Sequence, residues 1–245
     1  MLTAQDIAKM LDHSTLQPFL TADDIRKGCD IALQYGVATV CARPGDMPLV
    51  VGMLAGSAVK PCTVIGFPHG AHRTPVKVLE ARQALDDGCE ELDMVLNIGW
   101  IKAGQYAQAR DEVAAIAALT HERGAILKVI FETCYLDDAQ KIAACKLCAE
   151  AGADFVKTST GYGTAGATVA DILLMRAHVP SGVRVKASGG IRDLDTVLAM
   201  RAAGAARCGV SATQAIMQEA MLRQRAGTLQ EAAPGAAAPA PSAGY

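Results

Sequence analysis

A helix-like segment that ends in glycine and leads into a short apolar or β-branched run is the most regular feature of this chain. It reads QYG-VATVC around Gly36 and DDG-CEELDMVLN around Gly88. Further copies lie at Gly124, Gly152, Gly182 and Gly204. Glycine favours the position just past a helix end, where φ is positive, so each copy predicts a helix followed by a strand. The spacing is roughly thirty residues, the length of one βα unit.

Two further candidate strands, Leu11–Leu16 and Cys62–Phe67, bring the total to about eight βα units. This number in 245 residues predicts an α/β fold, a single (β/α)8 TIM barrel. A doubly wound open sheet is the alternative, but no G-x-G-x-x-G sequence follows the first strand. We expect the barrel over residues 1–225 and a flexible tail over 226–245. The tail is rich in Ala and Pro and carries one charge, Glu231, so it lacks an apolar face to bury.

Composition excludes several classes of protein. Hydrophobic residues make up 51% of the chain, which excludes a largely disordered protein. The net charge of −2 gives no basic excess for nucleic-acid binding. No apolar run approaches the ~20 residues that a membrane helix needs, and charges interrupt the first fourteen residues where a signal peptide is apolar. We therefore expect a cytoplasmic protein whose eight cysteines are reduced thiols.

Charged and apolar side chains take opposite parities along the predicted strands. In LKVIFE, for example, Lys128 and Glu132 oppose Leu127 and Val129. The apolar parity suits the outer face, which packs against helices, so the charged parity points into the barrel. The inward set is Asp12 (with Ser14 at the same parity), Asp93, Lys128, Glu132, Lys157 and Lys186. A structural ion-pair network is one interpretation; because charge burial is costly, we favour a polar catalytic cavity.

Lys157 and Lys186 lie at the same predicted depth on consecutive strands. A free lysine has a pKa of about 10.4, so it is a poor nucleophile at neutral pH. Two ammonium groups on strands about 4.8 Å apart repel, and one of them gives up its proton more easily. A neutral lysine attacks a carbonyl to form a Schiff base, which permits cleavage of a carbon–carbon bond one position away. Asp93, on a facing strand, is the candidate for moving protons, directly or through water.

Glycine-rich turns follow the last strands at the same end of the barrel. Gly161 follows the Lys157 strand, Gly189 and Gly190 follow the Lys186 strand, and Gly209 with Ser211 closes the last strand. Glycines let backbone N–H groups approach an anion, and phosphate sites in barrels commonly follow strands seven and eight. These turns predict a phosphate site.

Six motifs between Leu11 and about Ala212 resemble those of deoxyribose-phosphate aldolases, in family order. They are LDHSTL (11–16), GFPHG (66–70), ELDMV (91–95), KVIFET (128–133), GADFVKTSTG (152–161) and KASGGIR (186–192). The resemblance implies reversible cleavage of 2-deoxy-D-ribose 5-phosphate into D-glyceraldehyde 3-phosphate and acetaldehyde, a step of deoxyribonucleotide catabolism and carbohydrate degradation. It implies neither a metal nor an organic cofactor.

The resemblance also implies residue roles. Lys157 matches the Schiff-base lysine, Lys186 the second lysine that perturbs it, and Asp93 the acid/base aspartate. The phosphate cradle matches Gly161, Gly189, Gly190, Gly209 and Ser211. Supporting positions are Lys128 near the proton relay, Cys41 near the aldehyde pocket, and Tyr245, a terminal tyrosine like one that reaches the site in some members. Gln17 stands where many members have Lys, Ala212 replaces a commonly seen second serine, and Tyr162 lies where members vary between Lys and aromatics. These differences weaken the expected phosphate site more than the carbon–carbon chemistry.

Other interpretations stay open. A different Schiff-base sugar-phosphate aldolase or a transaldolase would use the same lysines, and a non-catalytic sugar-phosphate-binding barrel would lack the covalent step. Glu132 is expected to neutralise Lys128. The five histidines are not spaced as metal ligands. The sequence leaves open a homodimer or a higher homo-oligomer.

Overall fold

Eight parallel strands close into a barrel in chain order in the computed structural model, which describes residues 2–233. The strands are β1 (Leu11–Thr15), β2 (Thr39–Ala42), β3 (Lys60–Ile65), β4 (Glu91–Val95), β5 (Ile126–Ile130), β6 (Phe155–Lys157), β7 (Arg184–Ser188) and β8 (Ala205–Val210). Closure comes from pairing of β1 with β8, with Leu11 opposite Cys208. The predicted (β/α)8 barrel is confirmed.

Helices connect the strands on the outside. They are α1 (Ala4–Ala8), α2 (Ala22–Tyr35), α3 (Met47–Leu54), α4 (Thr74–Asp86), α5 (Ile98–Lys102), α6 (Tyr106–Glu122), α7 (Asp138–Glu150), α8 (Val169–His178), α9 (Leu194–Ala202) and α10 (Thr213–Arg225). Within residues 2–233, no helix combines the length and the hydrophobicity needed to cross a membrane.

The core lies between the outer face of the sheet and the helices. Leu92 and Met94 of β4 and Leu127 and Val129 of β5 are fully buried in it. These residues occupy the apolar parity of their strands, so the alternate parity is left to face the barrel interior. The fold thereby separates an apolar outer layer from a charged inner one.

The segment after α10 departs from the expected tail. In the part that the structure describes, Leu229 is 5% exposed and packs in the core. Glu231 forms an ion pair with Arg201 of α9, with 2.9 Å between Oε1 and Nε. Residues 226–233 therefore pack in part against the barrel, because one leucine anchors them. No periodic pattern of apolar residues in this segment predicted that contact. The rest of the predicted tail, 234–245 with Tyr245, lies outside the described residues.

Candidate active site

The carboxylate of Asp93 is the centre of the barrel interior. Lys157 Nζ lies 2.6 Å and Lys186 Nζ 2.8 Å from the same oxygen, Oδ2. Lys128 Nζ lies 2.7 Å from the other oxygen, Oδ1. Asp93 and Lys128 are fully buried, and the two other lysines are at most 3% exposed. Three lysine side chains thus share one fully buried carboxylate.

Strand register explains this convergence. Lys157 and Lys186 are direct partners on β6 and β7. Asp93 and Lys128 are direct partners on β4 and β5. In each pair both side chains point inward, since partners on neighbouring parallel strands share a face. The two pairs therefore meet across the barrel, and both lysines of the first pair reach one oxygen of Asp93.

A second set of charges lies beside this cluster. Asp12 forms an ion pair with Lys186, and its other oxygen lies 2.5 Å from Arg207 Nη1. Glu91 lies 2.6 Å from Lys128 and 3.2 Å from Arg207. Arg207 was missed in the sequence analysis, although it has the inward parity in β8 and alternation there would have indicated it.

The buried ion pairs shift the pKa values of their members. Burial alone raises the pKa of Asp93, but Lys128, Lys157 and Lys186 together outweigh it and hold that pKa well below its usual range. Burial lowers the pKa of Lys186, yet Asp12 and Asp93 reverse this and raise it above the ordinary lysine value. Asp93 is therefore ionised and Lys186 protonated at neutral pH.

Glu132 does not neutralise Lys128 as expected. Its carboxylate accepts hydrogen bonds from Thr160, one from the backbone N–H at 3.2 Å and one from the hydroxyl. Strand β5 ends at Ile130, and Glu132 has a left-handed backbone with φ of 56°. The alternation of faces stops at the strand end, so the side chain turns towards the loop after β6 instead. Burial raises the pKa of Glu132, and the Thr160 hydrogen bonds oppose that shift.

A cavity of about 250 Å³ opens above the two lysines at the carboxyl end of the strands. Its lining contains ten of the residues selected from the sequence: Asp12, Ser14, Cys41, Lys157, Gly161, Lys186, Gly189, Gly190, Gly209 and Ser211. Asp93, Lys128 and Glu132 do not line it, and Tyr245 lies outside the described residues. The catalytic candidates and the glycine turns therefore face one space, with Asp93 buried behind the lysines.

The glycine turns pack closely against one another. Gly189 and Gly190 have φ of 87° and 77°, in the left-handed region that favours glycine. A Cβ atom at Gly166, in the loop after β6, would lie 2.2 Å from the Gly189 carbonyl oxygen. A Cβ atom at Gly209 would meet Ser188 Oγ at 2.5 Å and Lys186 Cε at 3.5 Å. The absence of a side chain at these positions thus lets the backbone line the cavity and leaves room for the Gly189 carbonyl and the Ser188 hydroxyl.

Further residues, most of them in loops, line the cavity beside those predicted from the sequence. They are Leu16, Thr160, Gly163, Thr164, Ala165, Gly166, Ile191, Arg192 and Val210. Most of them follow β6 and β7, where no periodic pattern indicates which side chain faces inward. Arg192 had a visible signal, since it ends the motif KASGGIR and adds a cation on the glycine side of the cavity.

Cys41, Cys62 and Asp93 each offer a ligand atom within 4.8 Å of one another. Thiolate and carboxylate are suitable ligands for zinc. The oxygens of Asp93, however, already bind three ammonium groups. Positive charge at that distance opposes a dication, so the donor set does not fit a metal centre.

Comparison with known proteins agrees with this geometry. A model of the DeoC/LacD family aldolases matches residues 7–219. Deoxyribose-phosphate aldolase from Rhodopirellula baltica is 51% identical over 215 residues, which are 88% of this chain and 89% of that protein. The enzyme of that name from Thermococcus gammatolerans is 51% identical over 221 residues, covering 89% of this chain and 98% of that protein.

Solved structures give the same result. The tetrameric deoxyribose phosphate aldolase from Aeropyrum pernix superposes with a TM-score of 0.83 at 32% identity, covering 89% of this chain and 92% of that one. The family model spans the barrel from α1 into α10, and so includes every strand that carries a residue of the charged cluster. This chain therefore belongs to the DeoC/LacD family of aldolases.

Proposed function

We propose that this protein is a deoxyribose-phosphate aldolase, which cleaves 2-deoxy-D-ribose 5-phosphate reversibly into D-glyceraldehyde 3-phosphate and acetaldehyde. The observation that carries the proposal is the pair Lys157 and Lys186 on one oxygen of Asp93, at the floor of a glycine-lined cavity. The relatives of about 50% identity bear the name of this enzyme. In this proposal the carbon–carbon chemistry proceeds through a Schiff base on Lys157.

Charge balance supports Lys157 as the nucleophile. Lys128, Lys186 and Arg207 are matched by three carboxylates, Asp12, Glu91 and Asp93 (ion pairs of 2.5–3.7 Å, besides the Lys186–Asp12 contact). Lys157 forms one ion pair among the described residues, with Asp93, and it shares that carboxylate with the two other lysines. Loss of a proton from Lys157 removes one ion pair, with Asp93, whereas loss from Lys186 removes two, with Asp12 and with Asp93. Lys157 also lines the cavity, where a carbonyl carbon reaches it.

The chemical steps follow from these positions. The Lys157 amine attacks the aldehyde carbon C1, and loss of water gives an iminium ion. Abstraction of the proton from the C3 hydroxyl breaks the C2–C3 bond, and the electron pair moves into the iminium to leave an enamine. Asp93 is ionised and lies behind the lysines, so it accepts protons through one water molecule. Protonation of the enamine at C2 and hydrolysis release acetaldehyde, and Lys186 stays charged throughout.

The phosphate group would lie against the turns after β6, β7 and β8. Gly161, Gly189 and Gly190 supply close backbone there, and Ser211 supplies a hydroxyl next to the N-terminus of α10. A helix N-terminus favours negative charge. Ala212 offers no second hydroxyl at this point. The glycine side of the cavity is thus assigned to the phosphate and the lysine floor to the reacting carbon.

Further parts of the proposal concern Cys41, Ser14 and the tail. Cys41 and Ser14 line the cavity beside Asp12 and would contact the aldehyde end of the substrate. Tyr245 is proposed to assist protonation of the enamine, and its deletion should slow that step without weakening substrate binding. Equal rates of proton exchange in the full chain and in the truncated chain would contradict this role.

We also propose a cytoplasmic homo-oligomer. The Aeropyrum pernix relative is described as a tetramer. Val76 and Leu79 of α4 are 49% and 63% exposed and lie one helical turn apart, as an apolar contact between copies requires. Light scattering on the purified protein measures the assembly, and a monomer at all concentrations would refute this part.

Borohydride trapping tests the central step. Reduction in the presence of acetaldehyde should add a two-carbon group to Lys157, located by peptide mass spectrometry. The exposed Lys146 on α7 should stay unmodified, and Lys146→Ala should label as the wild type does. Lys157→Ala should abolish both the adduct and cleavage of deoxyribose 5-phosphate. An adduct with ketone donors and none with acetaldehyde would indicate a transaldolase-like enzyme, and substrate binding without any adduct would indicate a non-catalytic barrel.

A further inference from the structure

Two cysteines face each other beside the cavity, and one of them, Cys41, lines it. Cys41 of β2 and Cys62 of β3 are direct register partners. Both point inward, because Cys41 lines the cavity and the Cys62 thiol contacts Asp93. Neighbouring strands are about 4.8 Å apart, within the range of Cα separations that a disulfide spans. Their sulfur atoms lie within 4.8 Å of each other.

The surroundings give the two thiols different roles. The neighbouring Cys62 side chain lowers the pKa of the Cys41 thiol, against the effect of burial. Burial raises the pKa of the Cys62 thiol well above its usual value, and its neighbours Cys41 and Asp93 act in the same direction. Cys41 is therefore the more nucleophilic sulfur, and it is the one that a small solute meets from the cavity. Cys62 lies behind it with its proton retained.

Cys62 is also bonded to the charged cluster. Its Sγ lies 3.4 Å from Asp93 Oδ1, to which it donates, and 3.4 Å from Lys128 Nζ, from which it accepts. A change at this sulfur therefore changes the hydrogen bonds of the carboxylate that holds Lys157 and Lys186. The pair thus connects the cavity wall to the proposed catalytic carboxylate.

From this arrangement we infer that Cys41 and Cys62 are a modification site for hydroperoxides, and that a reversible disulfide between them inhibits the enzyme. With hydrogen peroxide, the Cys41 sulfur attacks one oxygen, the O–O bond breaks, and the leaving hydroxide takes up the thiol proton as water; an organic hydroperoxide releases an alcohol instead. This gives a sulfenic acid: sulfur loses two electrons and the peroxide gains them. The Cys62 thiol then attacks Cys41, the S–O bond breaks, and the hydroxyl leaves with the Cys62 proton as a second water.

Inhibition follows from the loss of the Cys62 proton. A disulfide sulfur cannot donate to Asp93, and bond formation moves both sulfurs to about 2.05 Å from each other. Activity should fall about tenfold or more, since a factor of ten is the loss of roughly one hydrogen bond in the transition state. A thiol reductant should restore it. The inhibition rests on the proposed function, whereas the formation of the disulfide does not.

Peptide mapping tests the inference directly. The full chain is treated with hydrogen peroxide under native conditions, remaining thiols are alkylated, and a protease that cleaves before aspartate is added. Cys41 is then the single cysteine in residues 30–45, and Cys62 the single cysteine in residues 46–85. The expected product is one cross-linked pair that is lighter by two hydrogens than the sum of the free peptides. Its amount should rise in step with the loss of aldolase activity, and dithiothreitol should reverse both.

Cysteine variants provide the controls, each compared with its own untreated activity. Cys148→Ala removes one member of the Cys145/Cys148 pair, which is buried on α7 away from the cavity, and should respond to peroxide as the wild type does. Cys62→Ala should form no cross-link, and its Cys41 should proceed to sulfinic acid that dithiothreitol cannot restore.

Two results would overturn the inference: no 30–45/46–85 cross-link in peroxide-treated wild type, or a complete cross-link with unchanged activity. Absence of activity in the untreated protein would instead contradict the proposed function and leave the mapping valid.

Discussion

Asp93 shows how a single buried carboxylate organises the chemistry of its neighbours. Burial disfavours its charge, yet three lysines within 2.8 Å keep it ionised. The ion pairs do not reduce the reactivity of the three lysines to the same extent. Lys186 is held by Asp12 as well and stays charged, while Lys157 has only the shared oxygen and an open cavity beside it. Geometry thus distinguishes two lysines that are equivalent in the sequence pattern.

The Glu132 carboxylate is a positioning group for the loop after β6. It holds the backbone N–H and the hydroxyl of Thr160, a residue that lines the cavity. Glu132→Gln weakens both bonds, since a neutral amide oxygen is a poorer acceptor than a carboxylate. We expect KM for deoxyribose 5-phosphate to rise about tenfold with a smaller change in kcat. Steady-state kinetics measure the two constants separately.

Glu122→Gln, on the exposed end of α6, is the matched control and should leave both constants unchanged. Glu132→Asp keeps the charge and should recover part of the lost affinity. If Glu132→Gln lowers kcat and leaves KM unchanged, then Glu132 acts in the chemical step and not on the loop.

At the scale of elements, a buried ion pair joins α4 to α6 behind the cavity. Lys77 and Glu112 are fully buried or nearly so, and their Nζ and Oε1 atoms lie 2.6 Å apart. Lys77 also donates to the carbonyl oxygen of Val95 at the end of β4, at 2.8 Å. Its chain packs on Gly66, where a Cβ atom would lie 2.7 Å from Lys77 Cε. The pair therefore fixes two helices and the carboxyl ends of β3 and β4 together.

Replacing one member of this ion pair should destabilise the protein more than replacing both members. Lys77→Met or Glu112→Leu alone leaves one buried charge without its partner, at a cost of about 3–5 kcal/mol in the free energy of unfolding. The double variant removes both charges and should recover at least half of that loss. Urea unfolding of the four proteins gives the coupling energy. Additive losses in the double variant would mean that each side chain contributes by packing alone.

At the scale of the whole molecule, the repeat of helix-like segments and strands was sufficient to predict the fold. The alternation of charged and apolar residues along the strands predicted most of the side chains that face the barrel interior. The inward parity indicated Asp93, Lys157 and Lys186 because these residues lie within strands, where side chains alternate between the two faces. Alternation fails where a strand ends, as at Glu132, and it does not describe loops such as that of Arg192. Leu229 could not be predicted, because a single apolar residue in an Ala-rich segment has no local pattern.

The charged interior also determines how the stability of the barrel depends on pH. Burial raises the pKa of Asp12, but Lys186, Lys128 and Arg207 outweigh it and lower the pKa overall. A carboxyl group whose pKa is lower in the folded than in the unfolded chain stabilises the folded state. This contribution is complete above the pKa in the unfolded chain, about 3.9, and is lost as pH falls below that value. Lys128 and Lys186 have raised pKa values, so their contribution is complete below about 10.4 and is lost only above it.

Asp12→Asn should therefore change stability in a pH-dependent manner. At pH 7 it leaves Lys186 and Arg207 with one carboxylate fewer, and the free energy of unfolding should fall by about 3 kcal/mol. The difference in the free energy of unfolding between wild type and variant should decrease between about pH 5 and pH 3. In this range the aspartate becomes protonated in the unfolded wild-type chain but stays ionised in the folded one. Asp23→Asn, at a side chain that is 85% exposed, should show no such trend in urea unfolding. If the free energies of unfolding of wild type and Asp12→Asn differ by a constant amount over this range, then the aspartate stabilises the barrel through its shape and hydrogen bonds and not through its charge.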